Sequence, residues 1–178
     1  MLEDLKEIPI GLDINSVADV EEFTNMQYTL SRNFGMQPVF KEEKFYYFKG
    51  KMNFANVEWS EDSVFGVINN FIYKVSLMTS EDNKEKLEVS FQKIIQLINK
   101  KTNTLGEFSK KGNKVSWFYS DGNILLTKKE MLSFFIISLN FTSSIIKKSS
   151  STEKSKAFLS FLKSKWIFNL LKRMEYKK

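Results

Sequence analysis

The chain has 178 residues, a formal net charge of +6, 42% hydrophobic residues and 17 phenylalanines. That is enough apolar material for one cored domain and argues against a wholly disordered chain. With neither cysteine nor histidine, the sequence offers no disulfide framework and none of the usual ligands for zinc, copper or haem, so a cytosolic, metal-free protein without a cofactor is expected.

After Ile8-Pro9-Ile10-Gly11, a helix is expected from a cap at Asn15 or Ser16 to Phe34, stopped by Gly35. Asp19, Glu21 and Glu22 would lie in its first turns, where acidic groups complement the helix dipole. Val17, Val20, Phe23, Met26 or Tyr28, and Leu30 would form its buried stripe.

From Val39 to Trp59 the pattern takes a strand period. Phe45, Tyr46, Tyr47 and Phe48 run consecutively, so both faces of that strand need apolar cover. Gly50 then turns the chain into a stretch carrying Met52, Phe54, Val57 and Trp59. One sheet face would meet the helices; the other is covered by the C-terminal segment or open to a partner.

The stretch Val64 to Met78, VFGVINNFIYKVSLM, reads as the central hairpin. Its residues are β-branched, aromatic or large aliphatic, and Asn69-Asn70 makes a tight turn because asparagine tolerates positive φ. A second helix follows, capped within Ser80 to Asn83 and running to about Asn99. Leu87, Phe91, Ile94, Ile95 and Ile98 recur at helical spacing, with Lys84, Glu85, Lys86, Glu88 and Lys93 on the wet side. Gly106 and Gly112 bracket a loop, and Val115 to Tyr119, an Asp121-Gly122 turn and Ile124 to Thr127 form another hairpin.

Met131 to Ile146 carries no charge over sixteen residues. This is shorter than the roughly 18 to 20 residues a spanning helix needs, and serine, threonine and asparagine dilute it, so a strand buried on both faces is expected. The N-terminus, MLEDLKEIPIG, has no apolar run of signal-peptide length, and no secretion signal is expected there.

The charge is unevenly placed. Residues 147 to 178 hold ten basic and two acidic side chains, a net of +8, whereas residues 1 to 146 sum to −2. Lys147 to Thr152 reads as a hinge and Ser151 or Thr152 with Glu153 as the start of a helix reaching about Met174. Leu159, Leu162, Trp166, Leu170 and Met174 share a stripe. Such a helix either docks on the sheet, lies in an anionic membrane interface, or meets an acidic partner, with Lys163, Lys165, Trp166, Lys172 and Arg173 as its contact residues; nucleic acid fits less well, because the aromatics sit at helical spacing.

Helix then strands, repeated once, describes an α+β fold. The expected form is an antiparallel sheet of about six to seven strands with two packing helices on one face, plus the C-terminal basic amphipathic helix. Residues 1–146 would make the α+β domain and 147–178 the hinge and helix.

Over residues 8 to 142 the chain resembles small, mostly uncharacterised bacterial α+β proteins laid out like the β-lactamase inhibitor protein. The residues carrying the resemblance are Ile8-Pro9-Ile10-Gly11, Phe48-Lys49-Gly50, Ile72-Tyr73-Lys74-Val75, and Trp117 through Asp121-Gly122-Asn123-Ile124-Leu125-Leu126. The inhibitor family is held by disulfides, which this chain lacks, and the segment after Lys147 has no counterpart. The resemblance implies a protein that acts by binding another protein.

Catalytic side chains are scarce: no histidine base, no cysteine nucleophile, no glycine-rich phosphate loop. Glu42-Glu43 and Glu61-Asp62 read as solvated turns, and Asp121-Gly122-Asn123 as a turn rather than a calcium loop. The expected function is therefore non-enzymatic: a cytoplasmic bacterial inhibitor or immunity protein that neutralises a protein partner such as a toxin. Its contact residues would be Tyr46, Phe48, Trp59, Trp117 and Tyr119, aromatics of the type that dominate interface hot spots. The alternative is a peripheral membrane protein attached through the C-terminal helix.

Overall fold

The computed structural model describes residues 5–24, 26, 42–59, 63–131 and 134–144. The hinge, the basic helix expected over 153–174 and its five contact residues lie outside them.

The described chain is mostly β. Eight strands form one antiparallel sheet: β1 (Val20–Glu22), β2 (Glu43–Phe48), β5 (Ser63–Ile68), β6 (Phe71–Glu81), β7 (Glu107–Phe108), β8 (Lys114–Tyr119), β9 (Gly122–Met131) and β10 (Phe134–Ser143), in the spatial order β1-β2-β5-β6-β10-β9-β8-β7. Two more, β3 (Met52–Phe54) and β4 (Val57–Trp59), pair only with each other. One α-helix, α1 (Lys84–Thr102), completes the described elements.

The expectation of two packing helices is thus overturned, and the physical reason lies at residues 13 to 22. The Asp13 side chain accepts from the Asn15 amide and holds Ile14–Ser16 in a single 3-10 turn. Asp19 then sits at φ 58, in the left-handed region that ends any right-handed helix. Val20–Glu22 continue as β1, paired with Phe48 to Tyr46. Glu21 and Glu22, read above as helix-dipole residues, instead reach across to Lys49 at 2.7 Å and Lys44 at 3.0 Å. Cross-strand ion pairs and an acidic first helical turn leave the same mark in sequence. The later part of that expected helix, residue 25 and residues 27–34, lies outside the described residues.

A β-hairpin packs into the core beside α1. Ala55 and Asn56 both adopt positive φ, 54° and 58°, and so form the two-residue turn that joins β3 to β4. Met52, Phe54 and Trp59 are buried and share one core with Leu5, Ile8, Ile14 and the inner side of α1. Phe54 meets Phe141 of β10 edge to face at 5.0 Å.

α1 follows its pattern closely. The Asn83 side chain caps it by accepting from the Lys86 amide at 3.0 Å, and Asn103 ends it with φ 50°. Leu87, Phe91, Ile94, Ile95 and Ile98 are buried. Beneath them lie Val75 and Leu77 of β6, Ile137, Leu139 and Phe141 of β10, Ile124 and Leu126 of β9, and Val115 and Trp117 of β8. Lys128 of β9 reaches the helix too, pairing with Glu88 and standing 4.6 Å over the Phe91 ring.

The Asn69-Asn70 turn is present, with φ of 51° and 67°. Next to it the sheet is kinked by a bulge between Gly66 and Val67, where a Cβ on Gly66 would come within 3.0 Å of Tyr73 and 3.2 Å of Phe45. β10 alternates more than expected. Ile137, Leu139 and Phe141 are buried on the helix face, while Ile136, Ser138, Asn140 and Thr142 on the other face are half-buried. At the β8–β9 hairpin Tyr119 pairs with Gly122, so the corner is Ser120-Asp121, one residue earlier than Asp121-Gly122.

Candidate functional site

The five aromatics expected to form a contact surface do not share one. Trp59 and Trp117 are core residues, 0% and 1% exposed. Phe48 is half-buried and stacks on Phe65 with centroids 5.4 Å apart, and the Tyr46 hydroxyl donates to Glu22 at 3.2 Å. Tyr119 is half-buried, its hydroxyl enclosed without a hydrogen-bond partner. β2 and β8 are separated by β5, β6, β10 and β9, a span of roughly 24 Å at the usual strand spacing.

The exposed large apolar residues lie elsewhere. In the stretch that ends the sheet, Leu105 is 82%, Phe108 55% and Phe118 62% exposed. Phe118 could have been read from the sequence: once Val115, Trp117 and Tyr119 face the core, period two turns Ser116 and Phe118 outward. Leu105 carries no such signal, because it belongs to a loop.

Local bonding fixes this stretch. The Asn99 side-chain oxygen accepts from the Gly106 amide at 3.1 Å and from the Trp117 indole at 2.8 Å, tying loop, helix and strand together. Gly106 lies so close to β8 that a Cβ there would stand 2.3 Å from Val115 and 2.7 Å from Trp117; no other residue fits without a shift. Beyond β7, the Ser109 amide donates to Lys114 and the Gly112 amide to Ser109, with Gly112 at φ 65°, a tight turn that sets out Lys110 and Lys111.

The ladder also determines which backbone groups of β8 face outward. Ser109 bonds Lys114, and Glu107 stands opposite Ser116, so even-numbered residues of β8 turn their N–H and C=O toward β7. Odd-numbered ones face β9, as the bond from the Lys128 amide to Asn113 confirms for the start of the pair. β7 stops at Glu107, so the next such position, Phe118, directs both backbone groups to an edge that no strand among the described residues pairs with.

Two other places hold polar groups. Glu43, expected in a solvated turn, is buried at 4% exposure and accepts from the Tyr73 hydroxyl. Burial, and then that bond and the carboxylate charge, push Tyr73 well above its ordinary pKa. A depression of about 460 Å³ lies at the start of α1, lined by Glu81, Asn83, Glu85, Lys86, Val89 and Ser90. Most of its polar groups are already engaged: Ser90 with Glu81, Asn83 with the Lys86 amide, and Lys86 with Asp82 at 2.7 Å. Asp121 occupies the hairpin corner while Gly122 and Asn123 belong to β9. Among the described residues no group of three or more acidic side chains could hold a metal ion, and no helix is long and apolar enough to cross a membrane.

Comparison with protein-family models, with curated proteins and with solved structures finds no match.

Proposed function

We propose that the chain is a non-enzymatic binding protein of inhibitor or immunity type, which takes an extended segment of a partner protein onto the open edge of β8. The observation that supports this reading is Phe118. An exposed aromatic side chain stands on an edge strand, its own N–H and C=O turned outward, with no charged residue from Trp117 to Ser120. Edge strands ordinarily block such pairing with charge, proline or cover. Where they do not, strand addition supplies main-chain hydrogen bonds for affinity and a side-chain contact for selectivity. Tyr119, one of the aromatics expected from sequence, is the next residue along this strand, and Trp117, the residue before Phe118, is buried in the core.

The test is co-purification of the tagged full chain from its native host, beside Phe118→Lys. A stoichiometric protein partner retained by the native chain and lost with the variant is the expected result. Recovery of no partner, together with turnover of a small substrate, overturns the reading.

A further inference from the structure

We propose that the turn between β7 and β8, with the loop before it, is a docking surface for an anionic lipid bilayer. It uses different residues from the β8 edge and stands independently of the partner reading. Leu105 and Phe108 are exposed and large, at 82% and 55%. Lys110, Lys111 and Lys114 follow within the same hairpin, all exposed and without an ion-pair partner among the described residues. Between Asn103 and Ser120 the sequence has one carboxylate, Glu107, although residues 1–146 as a whole are slightly acidic. Apolar side chains flanked by lysines are the two signals that together give reversible attachment to a membrane surface.

Three features favour a bilayer over an acidic protein. Lys110 and Lys111 sit on a tight turn beyond the short strand β7, and the headgroup region of a bilayer accommodates such a turn without a shaped pocket. The turn is held in place before contact, by Asn99 on Gly106 and by the Ser109, Gly112 and Lys114 bonds, so little order remains to be imposed on binding. Finally, a leucine and a phenylalanine beside lysines match the layering of a membrane interface, with acyl chains inside and anionic headgroups outside.

The experiment is sedimentation of the full chain with vesicles of 70% phosphatidylcholine and 30% phosphatidylglycerol, and with vesicles of phosphatidylcholine alone. The native chain is expected to bind the first set in preference. Lys110→Ala, Lys111→Ala and Lys114→Ala combined should weaken that binding on the order of a hundredfold, at about fivefold per lysine. Leu105→Ser with Phe108→Ser should weaken it as well, and Phe118→Lys should not; unchanged thermal melting shows that all variants are folded. Equal binding to both vesicle sets overturns the proposal, as does no binding by the native chain. Undiminished binding by the triple lysine variant also overturns it and assigns attachment to the segment after residue 146. Loss of a co-purified protein by the lysine variant, with no vesicle binding by the native chain, replaces the bilayer with an acidic protein partner.

Discussion

Removing the Asn99 side chain should reveal how firmly the β7–β8 end is held. Its amide oxygen is the acceptor for both the Gly106 amide and the Trp117 indole N–H, so Asn99→Ala strands two donors at once. A buried donor left without a partner costs ~1–3 kcal/mol. Both bonds here are partly buried, which puts each near the lower end and the sum at about 2–3 kcal/mol. For a domain of this size that corresponds to a fall in Tm of roughly 4–12 °C. Asn99→Asp keeps an acceptor; its added negative charge near the end of α1 opposes the helix dipole by under about 1 kcal/mol, so it should recover most of the loss. Urea unfolding of the three proteins gives the free energies, and amide exchange at Gly106 reports the loop locally. A loss under ~0.5 kcal/mol for Asn99→Ala, or identical losses for alanine and aspartate, would refute the account.

Two further outcomes follow from burial and charge. Trp59→Ala should cost ~3–5 kcal/mol as a core truncation, whereas Phe118→Ala should stay within about 0.5 kcal/mol; urea midpoints separate them, and similar losses would mean that Phe118 is not a surface residue. Tyr73 keeps its proton in the folded chain above the ordinary value of 10.0, so the stability it supplies is complete below pH 10 and is lost as pH rises further, by up to about 1.4 kcal/mol per pH unit. Tyr73→Phe should flatten that alkaline decline, and parallel declines for the two proteins would show that the tyrosine is not responsible.

The parts of the fold that were legible in sequence are those where one local rule acts alone. α1 announces itself because its apolar spacing, its Asn83 cap and its wet-side charges agree. The Asn69-Asn70 hairpin was legible for a similar reason, since two asparagines between apolar strands leave few other conformations. The Met52 to Trp59 stretch was not: Ala55-Asn56 is a weak turn pair, and only the burial of Phe54 and Trp59 in the common core makes the reversal worthwhile. The segment from Asp13 to Glu22 misled because helix signals and strand signals coincide there. Acidic residues at helical N-terminal positions serve equally as partners for lysines on a neighbouring strand, and that neighbour, β2, lies more than twenty residues away.

The two edges of the main sheet explain why aromatic content alone pointed to the wrong surface. β1 is three residues long, with Glu21 and Glu22 paired to lysines of the β2 region, an edge guarded by charge. At the other end β7 pairs only with Val115 and Ser116, and among the described residues no strand lies against Trp117 to Tyr119 on the side away from β9. Bulky aromatics bury more area than any other side chain, so in a chain this rich in them most must be spent on the core, as Trp59, Trp117 and Phe45 are. What distinguishes a contact residue is therefore not its type but its exposure beside backbone groups that have no ladder partner. Phe118 meets that criterion: the same alternation that sends Trp117 inward sends it outward, onto a stretch of strand edge that has no guard among the described residues.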